Sequence, residues 1–336
     1  MFIKKNAEKW KTYQHQQTEN PDETAERFVT LIDDLSYAKT FYPKSKATRW
    51  INGITASIYQ SIYRNKKEKY SRIFQFWKFE LPLLFKKYHG IFLFTTAIFI
   101  LFVSIGYFSS VNDPSFVRGV LGDAYVDKTE ELIANGDPFG IYSKESPFNM
   151  FVRIAFNNIG VAMKTFLGGF TLGIFTLMAM WGNGIMLGSF QYLFFSNGMG
   201  LEYVLVVWIH GTIEISSIII AGTAGFILAN GILFPGTYSR MISFKRSVKD
   251  AAKILICLIP FFIAAAFLES YITRLMSQTY ERGQRDGMPV WSSVLILTGS
   301  LALIIWYFVI LPIKMNRRGF FIKNDGIVSR LNETDA

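Results

Sequence analysis

Cysteine and histidine are nearly missing from this chain: one cysteine and three histidines in 336 residues. The lone Cys257 excludes an intramolecular disulfide, and its position inside an apolar run suits a small packing residue. Histidine is too sparse for a motif-based zinc site. There is no HExxH, and His15 and His89 belong to the N-terminal region and its boundary, so neither a metal nor a cofactor is assigned. Also missing are a GxSxG elbow, a P-loop, a cysteine nucleophile with a histidine nearby and a paired acidic motif, so no catalytic residue is assigned and the chain is not read as an enzyme. The net charge of +10 comes without any nucleic-acid motif, which removes nucleic acid as a partner. The first long apolar block starts only at residue 91, well beyond the roughly 15–30 residues of a secretory signal peptide.

What the chain has in quantity is apolar sequence. Hydrophobic residues make up 51% and aromatics 16%. They fall in blocks at 91–108 (IFLFTTAIFILFVSIGYF), 159–181, 205–229, 254–268 and 292–312, close to the about 20 residues a helix needs to cross a hydrocarbon core. Continuous blocks of this kind indicate helices, because a barrel would alternate over segments of about ten residues. The fold class is all-α: a polytopic helical membrane protein in contact with lipid, with a small N-terminal helical domain.

The positive charge is read as topology. Lys66, Lys67, Lys69, Arg72, Lys78, Lys86 and Lys87 precede the first span; Arg240, Lys245, Arg246, Lys249 and Lys253 follow the 205–229 block; Lys314, Arg317, Arg318 and Lys323 lie in the tail. The 109–150 loop instead carries Asp113, Asp123, Asp127, Glu130, Glu131, Asp137 and Glu145 and is expected outside. Both termini are then cytoplasmic, which requires an even number of crossings. Five blocks are one too few, so the expectation is about six membrane segments, the sixth being a short or re-entrant piece at 184–195 whose turn is Asn183-Gly184.

The divisions expected are a cytoplasmic helical domain over 1–65, a basic amphipathic interfacial helix over 66–90, the first transmembrane helix over 91–108, the extracytoplasmic loop over 109–150, a glycine-rich membrane core over 151–312 and a cytoplasmic tail over 313–336. Asn20-Pro21-Asp22-Glu23 caps a helix whose apolar face is Ala25, Phe28, Ile32 and Leu35, and Ile51, Ile54, Ile58 and Ile62 mark a third helix. A second interfacial helix is expected over 148–165. Gly169-xxx-Gly173 and Gly184-xxx-Gly188 have the spacing that lets helices approach closely. Such faces permit homo-oligomers without demanding them.

The residues that stand out are His210 and Glu214, four apart within the apolar run that includes WIHGTIEIS (208–216). On a helix they share a face. An ionisable pair at membrane depth is a functional-site hypothesis by default. Three readings stay open: a hydrogen-bonded network joining helices, with Ser216, Ser217 and Thr223 as candidate members; a proton or ion relay; and an intramembrane acid or base at Glu214. Glu202, Glu269 and Arg274, near segment ends, are read as interface anchors.

Asn157-Asn158, Gly169-xxx-Gly173, Asn183-Gly184-xxx-Gly188, His210-Gly211-xx-Glu214 and Ala221-Gly222-xx-Gly225, in this order, resemble the membrane core of the stage II sporulation protein M family. The match is best over 146–232, and Ser216-Ser217 is a departure from it. The resemblance implies a bacterial cytoplasmic-membrane protein. In sporulating species the family member is a non-enzymatic anchor that holds cell-wall-degrading enzymes in an engulfment complex. The expected function is therefore a membrane scaffold assembling a cell-envelope complex, its basic N-terminal domain recruiting a cytoplasmic or envelope protein. The alternatives are a permease-like transporter with a His210–Glu214 relay, or an intramembrane enzyme.

Overall fold

A computed structural model describes residues 2–16, 18, 20–63, 71–140, 146–280, 288–322 and 328–330. Lys66, Lys67, Lys69, Glu145 and Lys323, used above for topology, lie outside them. Contacts divide the chain into two units, Met1–Ile73 and Phe74–Ala336.

The first unit contains three helices, α1 (Phe2–His15), α2 (Pro21–Phe41) and α3 (Lys46–Tyr63). As its sequence suggests, α2 opens on Asn20, whose side chain accepts from the Asp22 amide, with Pro21 in the first turn. Its buried face is Leu31, Leu35 and Ala38, whereas Ile32 is exposed, so the stripe is rotated from the one read in sequence. Trp10 fills the centre, fully buried, edge-on to Trp50 at 5.8 Å, with Nε1 donating to Asp34 at 2.8 Å. Trp10→Ala should cost about 3–5 kcal/mol, enough to open so small a unit. Limited proteolysis should then cut within the first 63 residues while the second unit stays protected.

The boundary falls within α4 (Ser71–Gln75), and the second unit goes on with a π turn (Phe76–Glu80) and α5 (Leu81–Lys87). It continues through α6 (His89–Asn112), α7 (Pro114–Leu121), α8 (Asp123–Ala134), α9 (Pro147–Leu167), α10 (Ile174–Ser196) and α11 (Gly200–Leu233). Then come α12 (Arg240–Phe267), a π turn (Leu268–Thr273) and α13 (Arg274–Thr279), forming one helix, Arg240–Thr279. Another, Val290–Arg317, comprises α14 (Val290–Ile305), a π turn (Trp306–Ile310) and α15 (Leu311–Arg317). A two-stranded antiparallel hairpin, β1 (Phe320–Ile322) and β2 (Val328–Arg330), follows.

Side-chain contacts fix the helix directions. Phe102 meets Gly184 and Ser110 bonds Ser189, so α6 and α10 run parallel. Gly231 meets Ser247 while His210 bonds Thr273, so α11 and α12 are antiparallel. Phe261 packs on Phe308 and Met276 lies against Ser292, which turns the last helix back again. The start of α6 and the end of α15 therefore lie at one end of the bundle, and α7–α8 at the other.

Four helices, His89–Asn112, Gly200–Leu233, Arg240–Thr279 and Val290–Arg317, are long and apolar enough to cross a membrane. Of their most apolar stretches only 17% of the first and 11% of the last is buried by protein, against 56% of Gly200–Leu233. Protein therefore leaves most of His89–Asn112 and Val290–Arg317 uncovered, and α11 is the central post. In lipid there is no water to expel between helices, so association rests on close packing. That is where the glycines act. A Cβ on Gly169 would strike the Gly225 carbonyl, one on Gly184 the Phe102 side chain, one on Gly188 the Val103 carbonyl, and one on Gly222 the Met180 sulfur.

Three expectations are corrected. The 159–181 block is not one span: it breaks at Gly168–Thr171, a short 3-10 turn, followed by Leu172 and Gly173 with φ of 59° and 87°. Gly173 provides the left-handed backbone that only glycine adopts freely. Asn183-Gly184 is no turn, because both residues lie inside α10. The Asn183 amide donates to Ala179 O at 2.8 Å, which satisfies it within the helix, so 184–195 is part of a full 23-residue helix and neither short nor re-entrant. Nor do the two interfacial helices lie on the surface. Leu81, Leu84 and Phe85 are buried, with Phe85 on Phe308, and α9 buries Ile154, Ala155, Asn158 and Ala162 in the bundle. Of the aromatic face of the 66–90 segment, Trp77 packs on Phe261 and Tyr307, whereas Phe74 is exposed.

Candidate functional site

The i, i+4 spacing of His210 and Glu214 turns both toward a cavity of about 490 Å³ walled by Leu121, Tyr125, Arg153, Phe190, Tyr203 and Trp208. His210 lies ten residues into the 34-residue α11, about 15 Å along it at about 1.5 Å per residue. The cavity thus reaches from α7–α8 to about a third of the way along α11.

At its floor the antiparallel α12 adds a residue the sequence had not joined to the pair. Glu269 enters from the π turn, where the wider winding re-aims side chains relative to a regular helix. His210 is buried, with Nδ1 2.9 Å from Thr273 Oγ1 and Nε2 3.9 Å from Glu269 Oε1. One ligand-type atom from each of His210, Glu214 and Glu269 lies within 4.8 Å of the others. With Nδ1–H donating to Thr273, the Nε2 lone pair faces the carboxylates.

Around this trio the polar groups are only partly matched. The buried Asn158 amide faces Glu214 at long range, and its Nδ2 has no partner at full hydrogen-bonding geometry. The Tyr203 hydroxyl, in a residue with no exposed surface, is likewise unpartnered. Arg153 is exposed at the rim, close enough for its charge to act on Glu269. Burial pushes the Tyr125 phenol on α8 up to about 12, so it remains a neutral hydroxyl at any physiological pH.

Of the residues singled out in the sequence, His210, Gly211 and Glu214 line the cavity, and Asn158 stands behind Glu214. Asn157 points outward. Gly169, Gly184, Gly188, Gly222 and Gly225 are helix contacts and Gly173 is the turn; Gly211 has open space where a side chain would stand. Sequence reasoning set Glu269 apart as an anchor. The signal that would have joined it is that Glu269 and Thr273 repeat the i, i+4 spacing of the first pair at the end of an apolar block.

A helical membrane protein with a largely apolar cavity that ends on an ionisable cluster is the class these features define. Residues 92–274, more than half the chain, match the profile of the family described as Stage II sporulation protein M, and the chain belongs to that family. Residues 1–64 match a domain of unknown function, DUF8413. The chain is also similar to the uncharacterized protein MJ0706 of Methanocaldococcus jannaschii, 29% identical over 188 residues, which covers 54% of this chain and 80% of that protein. No solved structure matches.

Proposed function

We propose that the chain is a permease-like membrane protein of six crossings, with the ends of its membrane core cytoplasmic, that admits a small polar solute or ion from the α7–α8 side to the His210–Glu214–Glu269 cluster. The observation that carries this reading is the cavity itself. A bundle that served only to hold partners would gain from filling such a space, since ionisable groups at membrane depth are costly and are kept where they act. Six helices that alternate in direction support six crossings. The basic residues at the α6 start, the 240–253 segment and the α15 end support a cytoplasmic assignment for that face.

The scaffold reading is favoured by a different observation: the first 64 residues form part of a separate unit and match a family profile of their own, as a docking module would. Flux separates the two. Liposomes carrying the full chain and a trapped pH-sensitive dye should dissipate an imposed proton gradient faster than empty ones, and Glu214→Gln at equal protein level should return the rate to the empty baseline. If wild-type and empty liposomes behave alike, the permease reading fails. A stoichiometric partner that co-purifies with the full chain and is lost without residues 1–65 would then support the scaffold.

A further inference from the structure

We infer that His210, Glu214 and Glu269 form a binding site for one divalent transition-metal ion at the floor of the chamber. The inference rests on the proposed chamber being open to solutes from the α7–α8 side. Its first support is the donor set. One imidazole nitrogen and two carboxylate oxygens converge from two helices, their ligand atoms within 4.8 Å of one another. At about 2.1 Å per bond and a tetrahedral angle, two ligand atoms stand about 3.4 Å apart. The 3.9 Å between His210 Nε2 and Glu269 Oε1 lies about half an ångström beyond that. The widest gap closes by small rotations of the glutamate side chains, which keep some freedom because both are only partly buried.

The second support lies behind the ligands. His210 Nδ1 is held by Thr273 Oγ1, an outer partner of the kind that fixes a metal-binding imidazole with its other nitrogen presented. That nitrogen faces carboxylates, a contact that either a proton or a metal cation between them makes favourable. Independent of the trio, buried Asn158 Nδ2 beside Glu214 has no partner at full hydrogen-bonding geometry. Unsatisfied buried polar atoms are rare, and a hydrated ion at Glu214 accounts for this one by bringing water that it can bond.

Charge and chemistry select the ion. Two carboxylates facing one cavity floor draw a cation, and Arg153 adds one positive charge that acts on Glu269. Calcium and magnesium favour all-oxygen sets, whereas one nitrogen with two carboxylates suits Mn2+, Fe2+ or Zn2+.

The test uses the full chain in mild detergent, stripped with a chelator and re-equilibrated with Mn2+ or Zn2+ alone. The expected result is one ion per chain, with pulsed EPR of the Mn2+ form showing a single directly coordinated imidazole nitrogen. Thr273→Val should weaken binding about 10–100-fold, as loss of an outer partner does. Glu214→Gln and Glu269→Gln should each weaken it more, by over about 100-fold, and His15→Gln should leave it unchanged. An ion-free wild type, a missing nitrogen signal, or undiminished binding by Glu269→Gln would overturn the site. Should the glutamine variants fail to fold, the EPR result on the wild type decides alone. Binding without flux would refute the permease and keep the site; flux without binding would do the reverse.

Discussion

Valine in place of Gly188 should leave little folded protein in the membrane. A side chain at this position would drive into the Val103 carbonyl and stand 2.6 Å from the Tyr107 amide, so the obstruction is backbone and cannot rotate away. Gly106 faces the same contact from α6, where a Cβ would lie 2.5 Å from the Ile185 carbonyl. Between them the Ser110 hydroxyl donates to Gly106 O at 2.7 Å and to Ser189 Oγ at 3.1 Å, which pins the two helices at this separation. Overpacking a core usually costs about 1–3 kcal/mol. Here α6 and α10 must part along their length, so the loss should exceed that range. Gly182→Val is the matched control, because nothing lies within 4 Å of its Cβ position. Membrane yield and the temperature at which the purified chain loses its size-exclusion peak should fall for Gly188→Val and hold for Gly182→Val. Equal stability of the two would mean that α6 and α10 do not meet as described.

The small-residue spacing that makes this prediction was readable from the sequence, because GxxxG has one dominant physical use in lipid. Asn183-Gly184 was not. The dipeptide is a turn signal in water, where the alternative partner for the asparagine amide is solvent. Inside α10 the amide finds the Ala179 carbonyl, and Gly184 accommodates Phe102. The real turn, Gly168 to Gly173, was hidden by its apolar flanks, which made 159–181 read as continuous. The site was legible by half. His210 and Glu214 share one helix, so local geometry joins them. Glu269 lies 55 residues beyond Glu214, and only the antiparallel return of α12 brings it to the same cavity.

Lys253→Met should be the other severe substitution. Glu80, in the π turn before α5, is buried, and its carboxylate is held by the Lys253 ammonium from α12. Removing one member of a buried pair strands the other, at a cost of about 3–5 kcal/mol. The same end of the bundle has a second polar clasp. Lys87 and Tyr88 donate to Asp250 at 2.7 and 2.8 Å, and burial together with that carboxylate holds the Tyr88 phenol well above its ordinary range, so it stays a donor. Nearby, the Tyr307 hydroxyl donates to Trp77 O at 2.6 Å. These bonds tie the segment ahead of α6 to α12 and to the last helix. Glu80→Gln combined with Lys253→Met removes both charges and should recover most of the loss, leaving a coupling that a double-mutant cycle on thermal stability would read. Additive losses would show that the pair is not coupled.

The central proposal is that a chamber open on the α7–α8 side reaches the ionisable cluster. Gly211→Cys tests it most directly. The position lines the cavity and has room for a side chain, and the native Cys257 is fully buried. In oriented vesicles a membrane-impermeant thiol reagent should modify this cysteine from the face bearing α7–α8 and leave it untouched from the opposite face. Modification only from the opposite face, or none even by a small permeant reagent, would contradict the account.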